Sequence, residues 1–209
     1  MKEVTKSADV GLFLNQDGPY KVACLDIEAS GLNADFSIVL CAVLKEYPRG
    51  KPKVFRIDIT KRDLLNEEKE LLSRLDEAIS KFDGVITHYG IKFDIPFLRA
   101  RMFMHGFIGK PGGIMDKLKH LDTYYTAKRV LCISSRRLGN VVAVLGFNDP
   151  KGKPPEKTRI SQEQWLRAVY QGNRKAMSYI IEHCIIDVDN LVYETMRLDK
   201  FHADRILRR

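Results

Sequence analysis

Two carboxylates, two residues apart, end an apolar run near the start of the chain. The segment Val22-Ala23-Cys24-Leu25-Asp26-Ile27-Glu28 is typical of a β-strand, and residues i and i+2 of a strand project from the same face. Asp26 and Glu28 are therefore expected to point the same way, and burying either charge unpaired is costly. A divalent cation prefers such oxygen ligands and would neutralise both charges. The alternative is a strand that ends in two solvated acids, because Asp-x-Glu is a common pattern.

Two further segments carry acids in settings that favour chemistry. Asp94 opens a predicted helix, where an aspartate usually acts as a cap. His183 and Asp187 are four residues apart in an isoleucine-rich helix, so they share one face, and a buried acid and imidazole need partners. A surface ion pair is the alternative. The functional interpretation makes Asp187 a metal ligand and His183 a general base that titrates near neutral pH.

The surrounding pattern predicts the elements that would position these residues. Three strands joined by short turns, an antiparallel meander, are predicted at 20–28, 37–44 and 54–59. Helical periodicity then alternates with short strands that end at His88 and Asp122, and Asp122 is expected to cap the next helix. A long last helix spans about 173–200. The predicted fold is α/β: a three-layer sandwich with a mixed five-stranded sheet and helices on both faces.

Composition limits the class of protein. The 209 residues are 44% hydrophobic, enough to bury the core of one domain. No apolar run is long enough to span a bilayer, and the first residues lack the apolar segment of a signal peptide. The four cysteines have no metal-like spacing, so we expect a reduced, soluble, cytoplasmic protein with no membrane partner. The net charge of +8 suits a polyanionic substrate, although such an excess also aids solubility.

Three segments in order resemble the three motifs of the DEDD (DnaQ-like) 3′→5′ exonuclease superfamily, a branch of the ribonuclease H-like fold. They are Asp26-Ile27-Glu28-Ala29-Ser30-Gly31-Leu32, Gly90-Ile91-Lys92-Phe93-Asp94-Ile95-Pro96-Phe97-Leu98 and His183-Cys184-Ile185-Ile186-Asp187-Val188. With similar segments at 120–124 and 137–142, the likeness covers roughly residues 20–195, and three motifs at this spacing are a specific signal. The chain looks most like stand-alone ribonuclease H-like exonuclease domains, and next like the proofreading domains of family-B DNA polymerases.

The resemblance implies a metal-dependent exonuclease that uses two divalent cations, Mg²⁺ or Mn²⁺, on single-stranded 3′ ends of DNA or RNA and releases 5′-nucleotides. By this analogy Asp26 bridges both ions, Glu28 and Asp187 complete one ion site, and Asp94 serves the other through water. His183 would accept a proton from the attacking water. It stands four residues before the last aspartate, where the polymerase proofreaders usually have tyrosine.

Several residues are candidate substrate contacts. Leu32 is expected either to pack against the terminal base or to be an ordinary buried leucine. Phe93 fits the core better than a stacking platform, because its helix needs it for packing. Basic residues that could contact phosphates are Lys92, Arg99, Lys128, Arg136, Arg137 and the loop 151–159.

The predicted organisation is an N-terminal extension at 1–19, an exonuclease domain at 20–200 and a basic tail at 201–209. Two other functions stay open at this point. One is a nucleic-acid-binding module that has the fold but lacks catalysis. The other is a structure-specific endonuclease of the ribonuclease H-like class. Protein partners, and the choice between DNA and RNA, are not specified by these motifs.

Overall fold

The structure, a computed structural model, describes residue Leu14 and residues 20–107, 119–147 and 161–202. Most of the predicted N-terminal extension, the basic loop 151–159 and the tail beyond residue 202 lie outside these ranges. Leu14 is buried against the core. Within the described residues, no helix has the length and apolar character needed to cross a membrane.

Five strands form one mixed sheet in the order β3-β2-β1-β4-β5. The strands are β1 (Val22–Ala29), β2 (Val39–Glu46), β3 (Lys53–Arg56), β4 (Gly84–Thr87) and β5 (Lys119–Asp122). The first three pair antiparallel, whereas β4 lies parallel to β1 and β5 lies parallel to β4. The predicted meander and the predicted mixed five-stranded sheet are both confirmed.

Strand β1 lies in the middle of the sheet and is covered on both faces. Leu25 and Ile27 are buried on one face, and the alternate residues Asp26 and Glu28 lie on the other face. The apolar run of β2 is almost wholly buried beside it, as expected of a strand packed on both sides. The two candidate acids of the first motif are therefore fixed by the central strand of the sheet.

The helices follow the predicted alternation with the strands. They are α1 (Leu64–Ile79), α2 (Asp94–Met104), α3 (Thr123–Val130), α4 (Leu138–Val144), α5 (Gln162–Gln171), α6 (Arg174–Arg197) and α7 (Asp199–His202). Helix α6 packs against β1 and β2, whereas α1 packs against β2 and β3. The α/β sandwich predicted from the sequence is confirmed.

Some predicted boundaries shift for identifiable reasons. Strand β3 ends at Arg56, three residues before the predicted end, because the Asp58 carboxylate accepts hydrogen bonds from the Thr60 N–H and hydroxyl and so forms a turn. The long helix ends at Arg197 and is followed by the short helix α7. A capping box opens α5, where the Ser161 hydroxyl accepts from Gln164 N–H and the Gln164 side chain accepts from Ser161 N–H.

Candidate active site

Strand β1 and helix α6 bring three side chains of the predicted site together. His183 Nδ1 lies 3.1 Å from Glu28 Oε1 and 3.3 Å from Asp187 Oδ2. One potential ligand atom from each residue lies within 4.8 Å of the others. The four-residue spacing in α6 places His183 and Asp187 on one face, and that face is turned toward the end of β1.

Asp94 connects the second motif to the first. Its Oδ1 accepts a hydrogen bond of 3.1 Å from the N–H of Ile27, the residue between Asp26 and Glu28. The carboxylate is 5% exposed. Phe93, not Asp94, occupies the cap position of α2 and makes no side-chain capping bond. The helix-cap interpretation of Asp94 is therefore wrong, and its side chain instead fixes the start of α2 against β1.

Burial raises the pKa of all four carboxylates. The pKa of Asp94 is raised to about 7, although its hydrogen bonds from backbone N–H groups partly oppose the shift. Burial raises the pKa of Asp26 well above its usual range, and the charges of Asp94, Asp187 and Glu28 raise it further. The site thus collects acids whose charge is not fully offset by the residues that the structure describes.

Imidazoles supply the positive charge near these acids in the described part of the chain. Burial raises the pKa values of Glu28 and Asp187, and His183 lowers both of them. His88 also lowers the pKa of Asp187 electrostatically. Several carboxylates and one imidazole in contact form a donor set that suits a hard divalent cation, so the residues present fit a metal site.

The loop that leads into Asp94 is fastened by Asp122. This buried carboxylate accepts hydrogen bonds from the N–H groups of Tyr89 (2.8 Å) and Ile91 (3.0 Å). It also caps α3 by accepting from Tyr124 N (3.1 Å), as the sequence predicts. The cap was predictable, but the two bonds to the preceding loop were not, because they join segments more than thirty residues apart.

The backbone conformation of this loop explains why a glycine follows Tyr89. Tyr89 has a φ of 67°, in the left-handed region that a bulky residue rarely adopts. A Cβ on Gly90 would lie 2.3 Å from Thr87 Oγ1, so only glycine fits there. Strain of this kind persists where the surrounding contacts hold the chain in place, and Asp122 supplies those contacts.

The candidate substrate contacts lie around this site in different settings. Leu32 is 82% exposed, so its interpretation as a buried leucine is wrong. Phe93 packs partly buried against the core, with its ring 5.5 Å from that of Phe97, which agrees with the packing role. Lys92 is exposed, and Arg136 is half-buried, with its carbonyl 2.8 Å from His88 Nε2. Their contacts with phosphates stay predictions.

Sequence reasoning missed a buried cluster beside the site. His88 Nδ1 lies 2.9 Å from Glu194 Oε2, and Thr123 donates its hydroxyl to the same oxygen at 2.7 Å. Glu194 raises the pKa of His88, although burial opposes this. Glu194 follows Asp187 by seven residues on α6, and this spacing along one helical face was the available signal.

Comparisons with known proteins identify the superfamily and the fold. A sequence model of the RNase_H superfamily matches residues 23–196. A DNA polymerase of Methanocaldococcus jannaschii is 29% identical over 97 residues, which cover 38% of this chain and 6% of the polymerase. The solved structure of the family B DNA polymerase from the hyperthermophilic archaeon Pyrobaculum calidifontis matches with a TM-score of 0.63 and 17% identity, over 86% of this chain and 24% of that one.

The chain thus spans only a small part of either polymerase, and at 17% identity the structural match establishes the fold alone. The predicted ribonuclease H-like fold and the predicted similarity to family-B DNA polymerases are confirmed. The superfamily match includes all three motifs, from Asp26 to Asp187. The chain belongs to the RNase_H superfamily.

Proposed function

We propose that this chain is a metal-dependent 3′→5′ exonuclease that shortens single-stranded DNA or RNA and releases 5′-nucleotides. Membership of the RNase_H superfamily supports a nuclease, and the similarity to two DNA polymerases supports the exonuclease class. The observation that carries the proposal is the convergence of Glu28, His183 and Asp187, of which one potential ligand atom each lies within 4.8 Å of the others. The pKa values of these two acids, of the half-buried Asp26 and of the buried Asp94 are all raised.

Two divalent cations, Mg²⁺ or Mn²⁺, fit this donor set. Asp26 would serve both ions, Glu28 and Asp187 would serve one, and Asp94 would serve the other through water. When bound, such ions lower the pKa of water and neutralise the charge that develops on the phosphate and the leaving oxygen. Burial of these acids near one another raises their pKa values, and bound cations would lower the cost of keeping the acids ionised.

His183 is the proposed general base. Its Nδ1 lies between the carboxylates of Glu28 and Asp187, which fix the orientation of the ring. An imidazole held in this way by a carboxylate can accept a proton at Nε2 from the attacking water, because the resulting imidazolium is stabilised by the acid. In this role His183 stands where the polymerase proofreaders usually carry tyrosine.

The remaining residues would position the substrate. Asp94 ties α2 to β1 and so fixes the distance between the first two motifs. Leu32, exposed just beyond β1, would pack against the terminal base. Lys92 and Arg136 would contact phosphates of the strand, since phosphate contacts by basic side chains orient a nucleic acid without reading its sequence.

The test is digestion of 5′-labelled single strands of DNA and RNA in Mg²⁺, Mn²⁺ or EDTA. We expect a ladder that shortens from the 3′ end, requires metal and decreases at least ~10³-fold in Asp26→Asn, since metal ligation contributes several kcal/mol to catalysis. The matched control is Asp189→Asn, which changes an acid on the same helix that pairs with Lys45. This control is expected to retain full activity.

Other outcomes would reassign the function. Internal cuts instead of a ladder would identify the endonuclease of the same class. Tight binding of the strand without cleavage would identify the non-catalytic module. Cleavage that survives in Asp26→Asn would show that the proposed site is wrong.

A further inference from the structure

The loop 30–38 leaves the candidate site and presents apolar side chains to solvent. It joins β1 to β2 two residues beyond Glu28. Its ends are closed by two hydrogen bonds, from Ser30 N–H to the Ile38 carbonyl (2.9 Å) and from Ile38 N–H to Ser30 Oγ (3.0 Å). Within it Leu32 is 82% and Phe36 is 88% exposed. Ordered apolar groups beside an active site point to a binding role.

One buried arginine holds the middle of this loop. Arg101 is 3% exposed and lies on α2, the helix that begins at Asp94. Its Nη1 donates a hydrogen bond of 2.9 Å to the Ala34 carbonyl and also contacts Met104 Sδ at 3.3 Å. The same helix therefore carries a candidate metal ligand at its first residue and the anchor of the loop two turns later.

The arginine is itself fixed by Glu68 on α1. Glu68 is 0% exposed, and both of its oxygens accept hydrogen bonds from the Arg101 guanidinium. Its Oε1 also accepts from Val39 N–H at 2.7 Å, and its Oε2 lies 2.8 Å from His105 Nε2. A planar, two-point ion pair of this kind restricts the orientation of both side chains more strongly than a single contact.

We propose that Arg101 is a positioning residue that sets the loop 30–38 against the metal-binding acids, so that the loop engages the 3′ end of the strand. This inference rests on the proposed exonuclease function. Arg101 links the loop that follows Glu28 to the helix that begins at Asp94, so it fixes both motifs relative to one substrate surface. Small displacements of such a surface have large effects on turnover.

The test uses the paired variant Arg101→Met with Glu68→Gln. Removing Arg101 alone would leave the buried Glu68 charge without its guanidinium, whereas glutamine at residue 68 keeps an acceptor for the Val39 N–H and carries no charge. Two substrates are compared: a single-stranded oligonucleotide and bis(p-nitrophenyl) phosphate, a phosphodiester that has no base or sugar to contact the loop. We expect KM for the oligonucleotide to rise roughly 10- to 100-fold, while turnover of the small substrate stays within about twofold.

A second comparison asks whether Arg101 acts through the loop. Phe36→Ala is expected to raise KM for the oligonucleotide in the otherwise unchanged chain, and to add little in the paired variant, because both changes disable one surface. Arg74→Met is the control: Arg74 is an exposed arginine of α1 that donates to the Arg56 carbonyl. It is expected to leave both substrates unaffected.

Distinct results would overturn this inference. One such result is a paired variant that folds and has an unchanged KM for the oligonucleotide. Another is an equal loss of activity on both substrates, which would indicate a purely structural role. Additive effects of Phe36→Ala and the paired variant would exclude action through the loop. If the wild-type chain cleaves nothing, the proposed function fails separately. Binding of a fluorescein-labelled strand in EDTA, weakened roughly tenfold or more in the paired variant, then still tests Arg101.

Discussion

Glu68 and Asp94 are both buried carboxylates on neighbouring helices, but the protein treats their charges in different ways. Glu68 meets a guanidinium, an imidazole and a backbone N–H. Asp94 accepts from the backbone N–H of Ile27, and its pKa is raised first by burial and then by the charges of Asp122 and Glu28. One carboxylate is compensated within the protein, whereas the other belongs to a group that the described residues leave short of positive charge.

This difference separates a structural acid from a functional one. A buried charge is tolerated when partners of opposite charge and hydrogen bonds replace the lost water. Where like charges are buried together, the fold is destabilised unless something outside the chain neutralises them. Glu68 with its partners Arg101, His105 and Val39 N–H therefore stabilises the fold as it stands. Asp94 and the neighbouring acids of the candidate site are expected to stabilise the fold only when cations bind.

The largest effect on stability is expected at Glu68, whose charge is compensated by Arg101 and other partners. Arg101→Met, without a change at residue 68, leaves the Glu68 charge buried beside an apolar side chain. We expect the free energy of unfolding, measured in urea, to fall by about 3–5 kcal/mol. Arg74→Met, on the surface of α1, is the control and is expected to change stability by about 0.5 kcal/mol or less. A loss below about 1 kcal/mol for Arg101→Met would mean that Glu68 is compensated without its arginine.

At the candidate active site we expect the opposite change, an increase in stability. Asp94→Asn removes one of the mutually repelling charges, and its side-chain oxygen can still accept from Ile27 N–H. At pH 8 in EDTA the free energy of unfolding should therefore rise, by at most about 4 kcal/mol, because the pKa of Asp94 is about 7 in the folded chain and 3.8 when unperturbed.

Nuclease activity should be lost in the same Asp94→Asn protein. Asp189→Asn, at an exposed ion pair with Lys45, serves as the control and is expected to change neither property appreciably. A metal-free Asp94→Asn protein that is less stable than the wild type would contradict the comparison, because it would show that the Asp94 charge contributes favourably to folding.

The sequence predicted those parts of the site that depend on local spacing. Asp26 and Glu28 share a face because strands have a period of two residues, and His183 and Asp187 share a face because they are four apart in a helix. The apolar run of β1 also predicted a strand that carries the first two acids near its end, and the structure places this strand at the centre of the sheet. In these cases backbone geometry alone determines the relation between two side chains.

The contacts that spacing does not determine had to come from the structure. Glu68 lies among Glu67 and Glu70 in α1, and nothing in that pattern distinguishes the buried acid from the half-buried Glu67 and the exposed Glu70. Its partner Arg101 is 33 residues away. Likewise, Asp94 reads as a helix cap until its bond to Ile27, 67 residues away, is seen. Such contacts depend on how helices pack on the sheet, which local periodicity leaves undetermined.

The smallest predicted effect is the pH dependence of stability without metal. The pKa of Asp94 is raised in the folded chain, so its carboxyl stabilises the fold fully below pH 3.8 and loses that contribution as the pH rises through about 7. Between pH 5 and pH 8 in EDTA we expect Tm to fall by about 5–10 °C. Mg²⁺ should raise Tm more at pH 8 than at pH 5, because the ligands must be deprotonated to bind it.

Other groups titrate in the same pH range, so the decisive quantity is how steeply Tm falls with pH in the wild type compared with Asp94→Asn. The pKa of His88 is also raised, and this residue is unchanged in Asp94→Asn. The variant should therefore lose part of the decrease in Tm between pH 5 and pH 8 and part of the response to Mg²⁺. If Tm falls equally steeply with pH in the wild type and the variant in EDTA, the charge of Asp94 is not the source of the repulsion among these acids. The contrast with Glu68 would then have to rest on Asp26, whose pKa is also raised by burial and by the neighbouring acids.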